Sequence, residues 1–517
     1  MYNPCLRQLC SLVDPIKRNP NLSPCKFPVP HRSIPDPCGQ DHDLVSVAHS
    51  YLIHDDWSKL NALARSLNPF RIKHILLKIR RDPVLSLKFY EWSLNHTPDS
   101  QTLETHSVIL HILCKFRRFR AAESILRETL LPKVSISELF DSLLYTYRLC
   151  ESSPNVFDSL FKTYAHLKKF RNATETFCRM RGYGFLPTIR SCNALMSSLL
   201  DHGRPDIALS FYRELRRCRI SPNGYTLNMI MLAFSSLGRL EKALEVFEKM
   251  EAMGFSPTVS SFNTMIAAYC KCRLMNFAVK LKNEMEVKGL DPNVITYNTL
   301  IYGFCIEGKL NEANKILSEM KAKDACPNVV TYNILINGYC QMGNGEMGFR
   351  IYEEMVKNGV KADIVTFNAL ISGFCNEGKT KKASYLVKEL DSKNLVPNAS
   401  TFSSLIIGQC KKQNSERAFE IYKAMKKNGC YPNYETFNIL IVAFVENKDY
   451  EGALEVLKDM LEAWIAPDKM LLTELSEGLH RSGKSRMARR FLSQAGVLRF
   501  LPKTFLDLHS CYDELDS

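Results

Sequence analysis

The side chains best placed for chemistry in this 517-residue sequence are amides recurring at a fixed interval, not acids, bases or nucleophiles. Asn193, Asn228, Asn263, Asn298, Asn333 and Asn368 stand 35 residues apart, Ser403 takes the next place, and Asn438 resumes the column. A carboxamide offers a donor and an acceptor side by side, which suits recognition of a polar edge and not proton transfer. Each asparagine follows a better helix-capping candidate and falls within the first turn of an expected helix, where asparagine is a mediocre helix former. Capping therefore does not explain the column.

A second column consists of Cys270, Cys305, Cys340, Cys375 and Cys410, again 35 apart, among 18 cysteines. That regularity marks a repeat and not a disulfide framework, and a small buried thiol at a fixed site suits packing in a reducing compartment. No C-x-x-C pair occurs, and Cys270 with Cys272 is a lone C-x-C. The sequence offers no Ser/His/Asp set, no phosphate loop, and no H-x-E with P-C-x-x-C to hold a zinc and a proton-shuttling glutamate. The expectation is a protein that is not an enzyme and takes no metal and no cofactor.

The elements that must position these columns follow from the same period. TYNTLIYGFC at Thr296, TYNILINGYC at Thr331 and TFNALISGFC at Thr366 fix a 35-residue register that runs without insertion from Pro154 to Lys503. The ten units begin at Pro154, Ile189, Gly224, Val259, Val294, Val329, Ile364, Ala399, Tyr434 and Lys469, the first and last being degenerate. Upstream, residues 41–153 hold about two weaker copies, Asn68 to Thr102 and Leu103 to Leu130, with a nonrepeating linker near 131–153, for about twelve units in all.

One unit reads as two short amphipathic helices, with Thr296 as the N-cap of the first and Gly308 where it stops. Gly203, Gly238, Gly343, Gly378 and Gly483 fill the same stop position. Small residues (Ala208, Ala243, Ala278, Ala313, Gly348, Ala383, Ala418, Ala453, Ala488) are expected where the two helices cross. Methionines 250, 285, 320, 355, 425 and 460 are expected to fill the core between units. Prolines such as Pro292, Pro327, Pro397 and Pro502 are expected to keep the second helix from continuing into the next unit. The predicted fold is all-α, a superhelix of stacked helical hairpins.

A formal charge of +14 gives a surface that attracts polyanions, and no run of eighteen uncharged apolar residues is present to span a membrane. Residues 1–40 hold eight prolines, five Lys or Arg and only two acids, and read as an organelle transit peptide or a disordered leader. Mitochondrion is the first expectation and chloroplast the alternative. Residues 504–517 form a C-terminal tail.

The pattern TYN(T/I/A)LI, GFC..G, A…..(E)M and G..PN resembles the signature of plant pentatricopeptide repeat proteins over roughly residues 68–503. Uniform unit length is similar to the pure-repeat, P-type subclass, and only about fourteen residues follow the last unit, so no deaminase-like extension is expected. The resemblance implies a right-handed superhelical solenoid that binds single-stranded RNA. One base per unit would be addressed by the fifth and last residues, side by side on the concave face. The pairs would be Asn193 with Asn223, Asn228 with Thr258, Asn263 with Asn293, and Asn298 with Asn328. Next come Asn333 with Asp363, Asn368 with Asn398, Ser403 with Asn433, and Asn438 with Asp468.

By resemblance Asn with Asp favours uracil, Asn with Asn cytosine and then uracil, and Ser with Asn adenine, which gives a core site 5′-YYYYUYAU-3′ (Y, pyrimidine). Second residues Arg190, Tyr225, Ile295, Val330 and Val365 would sandwich the bases, while Ser260, Ser400, Glu435 and Met470 are mixed. The units with Asp158/Thr188 and Thr473/Lys503 depart from the pattern and receive no base. The resemblance implies an organelle transcript as target, acting in stabilisation, processing, splicing or translation. The expected form is a monomer, with other organelle RNA-processing proteins as further partners. The competing reading is a protein-interaction scaffold like tetratricopeptide arrays, but their period is 34 and their tryptophan column is missing here.

Overall fold

The computed structural model describes residues 28–30 and 35–481. Residues 1–27 and 31–34 of the expected leader, the remainder of the tenth unit with Gly483, Ala488, Pro502 and Lys503, and residues 504–517 lie outside the described residues. Within them the chain is all-helical: 26 α-helices run from Gln40 to Arg481, with short 3-10 and π turns and no strand. The chain divides into two compact units, residues 1–268 and 269–517.

In the second unit every hairpin repeats one plan. Helix Val294–Ile306 is followed by helix Leu310–Ala322, each of 13 residues, and the pattern recurs as Val329–Gln341 with Gly345–Lys357 and Ile364–Asn376 with Thr380–Ser392. At 1.5 Å per residue each helix is about 20 Å long. The first helix ends where expected. Gly308 has φ 72°, its N–H donates to Cys305 O at 3.0 Å, and the Lys309 N–H reaches back to Phe304 O at 2.9 Å. These are the paired bonds of a Schellman stop, which needs a left-handed residue. Gln413 and Lys448 hold the same position without glycine, at φ 57° and 58°, a conformation that costs a non-glycine residue about 1 kcal/mol.

The second helix does not continue into the next unit, and its stop lies before the proline. That helix stops three residues earlier, at left-handed Gly289, Asp324, Gly359, Asn394 or Gly429. It stops there even where Ala362 stands in place of the proline. Pro292, Pro327, Pro397 and Pro432 instead hold the extended link that leads into the next hairpin.

The small-residue position is buried at every described crossing, and a Cβ on Gly348 would meet Cys340 Sγ at 2.9 Å. The methionine column is buried throughout, as is the cysteine column. Four of the five thiols, those of Cys270, Cys305, Cys340 and Cys375, lie against a glycine of the following hairpin. A Cβ built on Gly303, Gly338, Gly373 or Gly408 would fall within 3 Å of Cys270, Cys305, Cys340 or Cys375 respectively. Helix-interior glycine costs about 0.5–1 kcal/mol against alanine, and here the close approach of neighbouring first helices requires it. Burial pushes all five column thiols up to about 12.

In the first unit, hairpins of the same kind run from Asn155–His166 to Leu240–Ala252. Upstream come Pro69–Lys78 with Pro83–His96 and Leu103–Lys115 with Phe119–Ile125. The stretch near 131–153, which shows no repeat periodicity, carries helix Ile136–Thr146, capped by a Ser135–Glu138 box. It packs on Leu103–Lys115, where buried His111 Nε2 lies 2.9 Å from Leu143 O.

Candidate functional site

The first residue to place is the helix cap, and the structure corrects the expected one. Thr296 does not cap its helix. Asn293 does, from an extended conformation three residues earlier, and its Oδ1 accepts the Thr296 N–H at 3.1 Å. Thr296 is the third helical residue, fully buried, and its hydroxyl accepts the Asn293 N–H at 3.1 Å, which completes a capping box. The same box joins Asn223 to Thr226, Asn328 to Thr331, Asp363 to Thr366, and Asn398 to Thr401. Asn433 caps through the Thr436 N–H, Thr258 through Ser261, and Asp468 through Leu471. Every last-position residue in the expected set is therefore a helix cap.

The fifth-position residues lie one turn further on, inside the helix. At three positions the side chain meets the cap of the next hairpin's first helix across 30 residues of sequence. Asn193 Nδ2 donates to Asn223 Oδ1 at 3.2 Å, Asn333 Nδ2 to Asp363 Oδ1 at 3.1 Å, and Asn368 Nδ2 to Asn398 Oδ1 at 3.1 Å. A third group, absent from the sequence reading, closes each triangle. Thr226, Thr331, Thr366 and Thr401 donate their hydroxyls to the fifth-position Oδ1 of Asn193, Asn298, Asn333 and Asn368 at 2.9, 2.7, 2.6 and 2.6 Å. Thr436 does the same to Ser403 Oγ at 2.7 Å. The T-Y-N motif was the visible signal for this residue, but its partner lies 33 residues away.

These bonds fix which atoms face outward. A cap oxygen must accept from a backbone N–H, so the amide of Asn328 or Asn398 cannot be flipped, and its Nδ2 is left as the outward donor. In Asp363 the same donors converge on Oδ1, leaving Oδ2 as an outward acceptor. Burial raises the Asp363 carboxyl, but the bonds from Thr366 and Asn333 outweigh it and hold the group below its usual range. Asp468 is held low by the Leu471 N–H and by the Tyr434 hydroxyl, which donates to Oδ2 at 2.7 Å.

The expected set is not uniform. Asn228 Oδ1 is buried with no hydrogen-bond partner, because Ser261 pairs with the Thr258 hydroxyl at 3.2 Å. Asn438 makes no bond to Asp468, and Leu471 stands where a threonine would close the triangle. Asn263 is half-buried and Asn293 exposed at its cap. Asp158, given no base, has both oxygens engaged by Thr188 and Ser191. Among second-position residues, Tyr225, Ile295, Val330 and Val365 are each more than half exposed, and Arg190 is exposed. Beside five of the eight polar pairs they set an apolar or planar surface that the core leaves uncovered, whereas Ser260, Ser400 and Glu435 stand beside the other three.

Models described as "PPR repeat family" match residues 257–306, 292–341, 327–376, 362–411 and 404–445. The "Pentatricopeptide repeat domain" model matches 210–271, and "PPR repeat" matches 190–220 and 435–465. Together they cover more than half of the chain without a gap. The chain belongs to the pentatricopeptide repeat family. A mitochondrial pentatricopeptide repeat-containing protein of Arabidopsis thaliana is 59% identical over 211 residues, 40% of each chain. Another Arabidopsis mitochondrial relative is 28% identical over 221 residues, 42% of this chain and 41% of its own. The matched segments thus span about two fifths of these relatives. The pentatricopeptide repeat protein PPR10 from maize, in complex with an 18-nt psaJ RNA element, aligns with a TM-score of 0.46 at 19% identity, covering 87% of this chain and 73% of that one.

Proposed function

We propose that this pentatricopeptide repeat chain binds single-stranded RNA of an organelle transcript, one base per hairpin, with the core site 5′-YYYYUYAU-3′. The observation that carries this reading is the alternation of outward groups at the caps: a donor at Asn328, an acceptor at Asp363, a donor at Asn398. A donor complements the ring nitrogen of cytosine. An acceptor complements the imide N–H of uracil, and such edges are free only in single strands. Exposed Ile295, Val330 and Val365 supply faces for the bases, at about 1–3 kcal/mol per stacked base.

Binding, and not turnover, is the activity in this reading, and it serves stabilisation, processing, splicing or translation of the transcript. Both Arabidopsis relatives just described are mitochondrial proteins, and residues 1–40 are rich in bases and poor in acids; the two together favour the mitochondrion. The array of residues 154–503 acts as a monomer. The test is fluorescence anisotropy of the full chain with a labelled single strand carrying the site, the same strand annealed to its complement, and a permuted strand. The expected result is binding of the first alone, weakening with salt at a log–log slope of about −0.7 per phosphate neutralised. Equal binding of the duplex or of the permuted strand overturns the proposal.

A further inference from the structure

We infer that Thr366, and with it Thr331 and Thr401, is a positioning residue for base selection by the hairpin that precedes it. The inference rests on the RNA-binding reading and adds to it a residue that never meets the ligand.

All three threonines are fully buried. A buried hydroxyl acts on RNA only through what it touches, and here it touches both base-reading side chains. Thr366 Oγ1 accepts the Asp363 N–H at 3.2 Å and donates to Asn333 Oδ1 at 2.6 Å, with Asp363 Oδ1 further off at 3.0 Å. A hydroxyl carries one proton, so the nearer Asn333 oxygen takes it. That bond pins the oxygen of Asn333 inward and leaves Nδ2 on the Asp363 side. Without the donor, only the 3.1 Å bond from Nδ2 to Asp363 Oδ1 holds the carboxamide, and a half-turn that exchanges donor and acceptor, blurring the edge presented to the base, becomes less costly. Thr331 and Thr401 show the same order of distances, 2.7 against 3.1 Å and 2.6 against 3.2 Å.

The chain contains its own control. Where Ser261 replaces threonine and turns to Thr258, Asn228 Oδ1 is left buried and unpartnered. Where Leu471 replaces it, Asn438 and Asp468 are not joined. Base discrimination is therefore sharp at Asn333 and Asn368 and blunt at Asn228 and Asn438.

The test compares wild-type, Thr366→Val and Thr366→Ser full-length proteins on single strands differing only at the fifth base of the site, uracil or cytosine, or only at the sixth, pyrimidine or purine. Wild type should discriminate about tenfold at each position, the scale of a single mismatch. Thr366→Val should bring the fifth-base ratio close to one and leave the sixth-base ratio, read by Asn368 and Asn398, unchanged. Thr366→Ser, which keeps the hydroxyl, should restore it. Retention of the fifth-base ratio in Thr366→Val, or equal loss at both bases, overturns the inference. A wild type that distinguishes no base overturns the RNA-binding reading and this one with it. If Thr366→Val loses its helical circular dichroism, Ser261→Thr decides: discrimination at the second base should rise several-fold, and an unchanged ratio counts against the role.

Discussion

Asn333 Nδ2 donates to Asp363 Oδ1 across 3.1 Å although the two residues stand 30 positions apart, one within the first helix of its hairpin and the other capping the first helix of the next hairpin. The pair is held together before any ligand arrives, so the ordering of these side chains is not left to the binding step.

Replacing Asp363 with Asn exchanges the outward acceptor for a donor while keeping a good cap. The preference at the fifth base should move from uracil to cytosine, by about 1–3 kcal/mol between the two ligands, with thermal stability little changed. Competition binding with the two RNAs measures it.

The wild-type preference at that base should also depend on acidity. The folded carboxyl lies below its ordinary value of 3.8, so the group stays ionised, and its contribution to stability stays intact, at all pH values above that. Both are lost as pH falls through the depressed folded value. Uracil preference measured between pH 7 and 5 should be flat, and a decline within that window would contradict the assignment.

Ser403 accepts from Thr436 and keeps its own hydroxyl proton for the ligand, and its short side chain leaves room for a purine. Ser403→Asn should move the seventh base from adenine to cytosine, tested by competition between YYYYUYAU and YYYYUYCU. A mutant that still favours adenine places the register elsewhere.

A Cβ on Gly373 would lie 2.5 Å from Cys340 Sγ and 2.6 Å from its Cβ, whereas one on Gly224 meets nothing within 4 Å. Gly373→Ala should destabilise by about 1–3 kcal/mol, as overpacking does. Gly224→Ala should change stability by less than about 0.5 kcal/mol. Urea midpoints of the two variants give the comparison.

Native protein treated with iodoacetamide at pH 8 should be alkylated at exposed Cys272 and Cys326, and spared at buried Cys305, Cys340 and Cys375, whose thiols are pushed up to about 12. Peptide mass spectrometry reads each site. Labelling of Cys340 at the rate of Cys326 would mean that the helix contact opens readily.

The helical hairpins, their 35-residue register and the buried Ala, Met and Cys columns were legible because one period repeats many times in one chain. The glycine stop at Gly308 was legible for the same reason. The cap was misread because Thr296 stands nearest the apolar run, although asparagine is at least as good a cap and the Asn293-x-x-Thr296 spacing marks a box. The reason for Gly373 and the bond from Thr366 to Asn333 were not legible. Both join neighbouring repeats, and no local propensity encodes a contact between helices. The lone Asn228 oxygen is likewise visible only once Ser261 is seen to turn away.

Because the cap of each first helix also presents the outward atom to the base, the alphabet available at that position is bounded by helix physics. Asn, Asp, Ser and Thr begin helices well, and Ala, Val and Leu do not. A lineage that drifts among the first group changes what its hairpin selects at little cost in stability, while drift into the second costs about 1 kcal/mol per hairpin whatever the target. Retargeting is then confined to a small set of mutually interchangeable residues, a constraint imposed by folding before any RNA exerts selection.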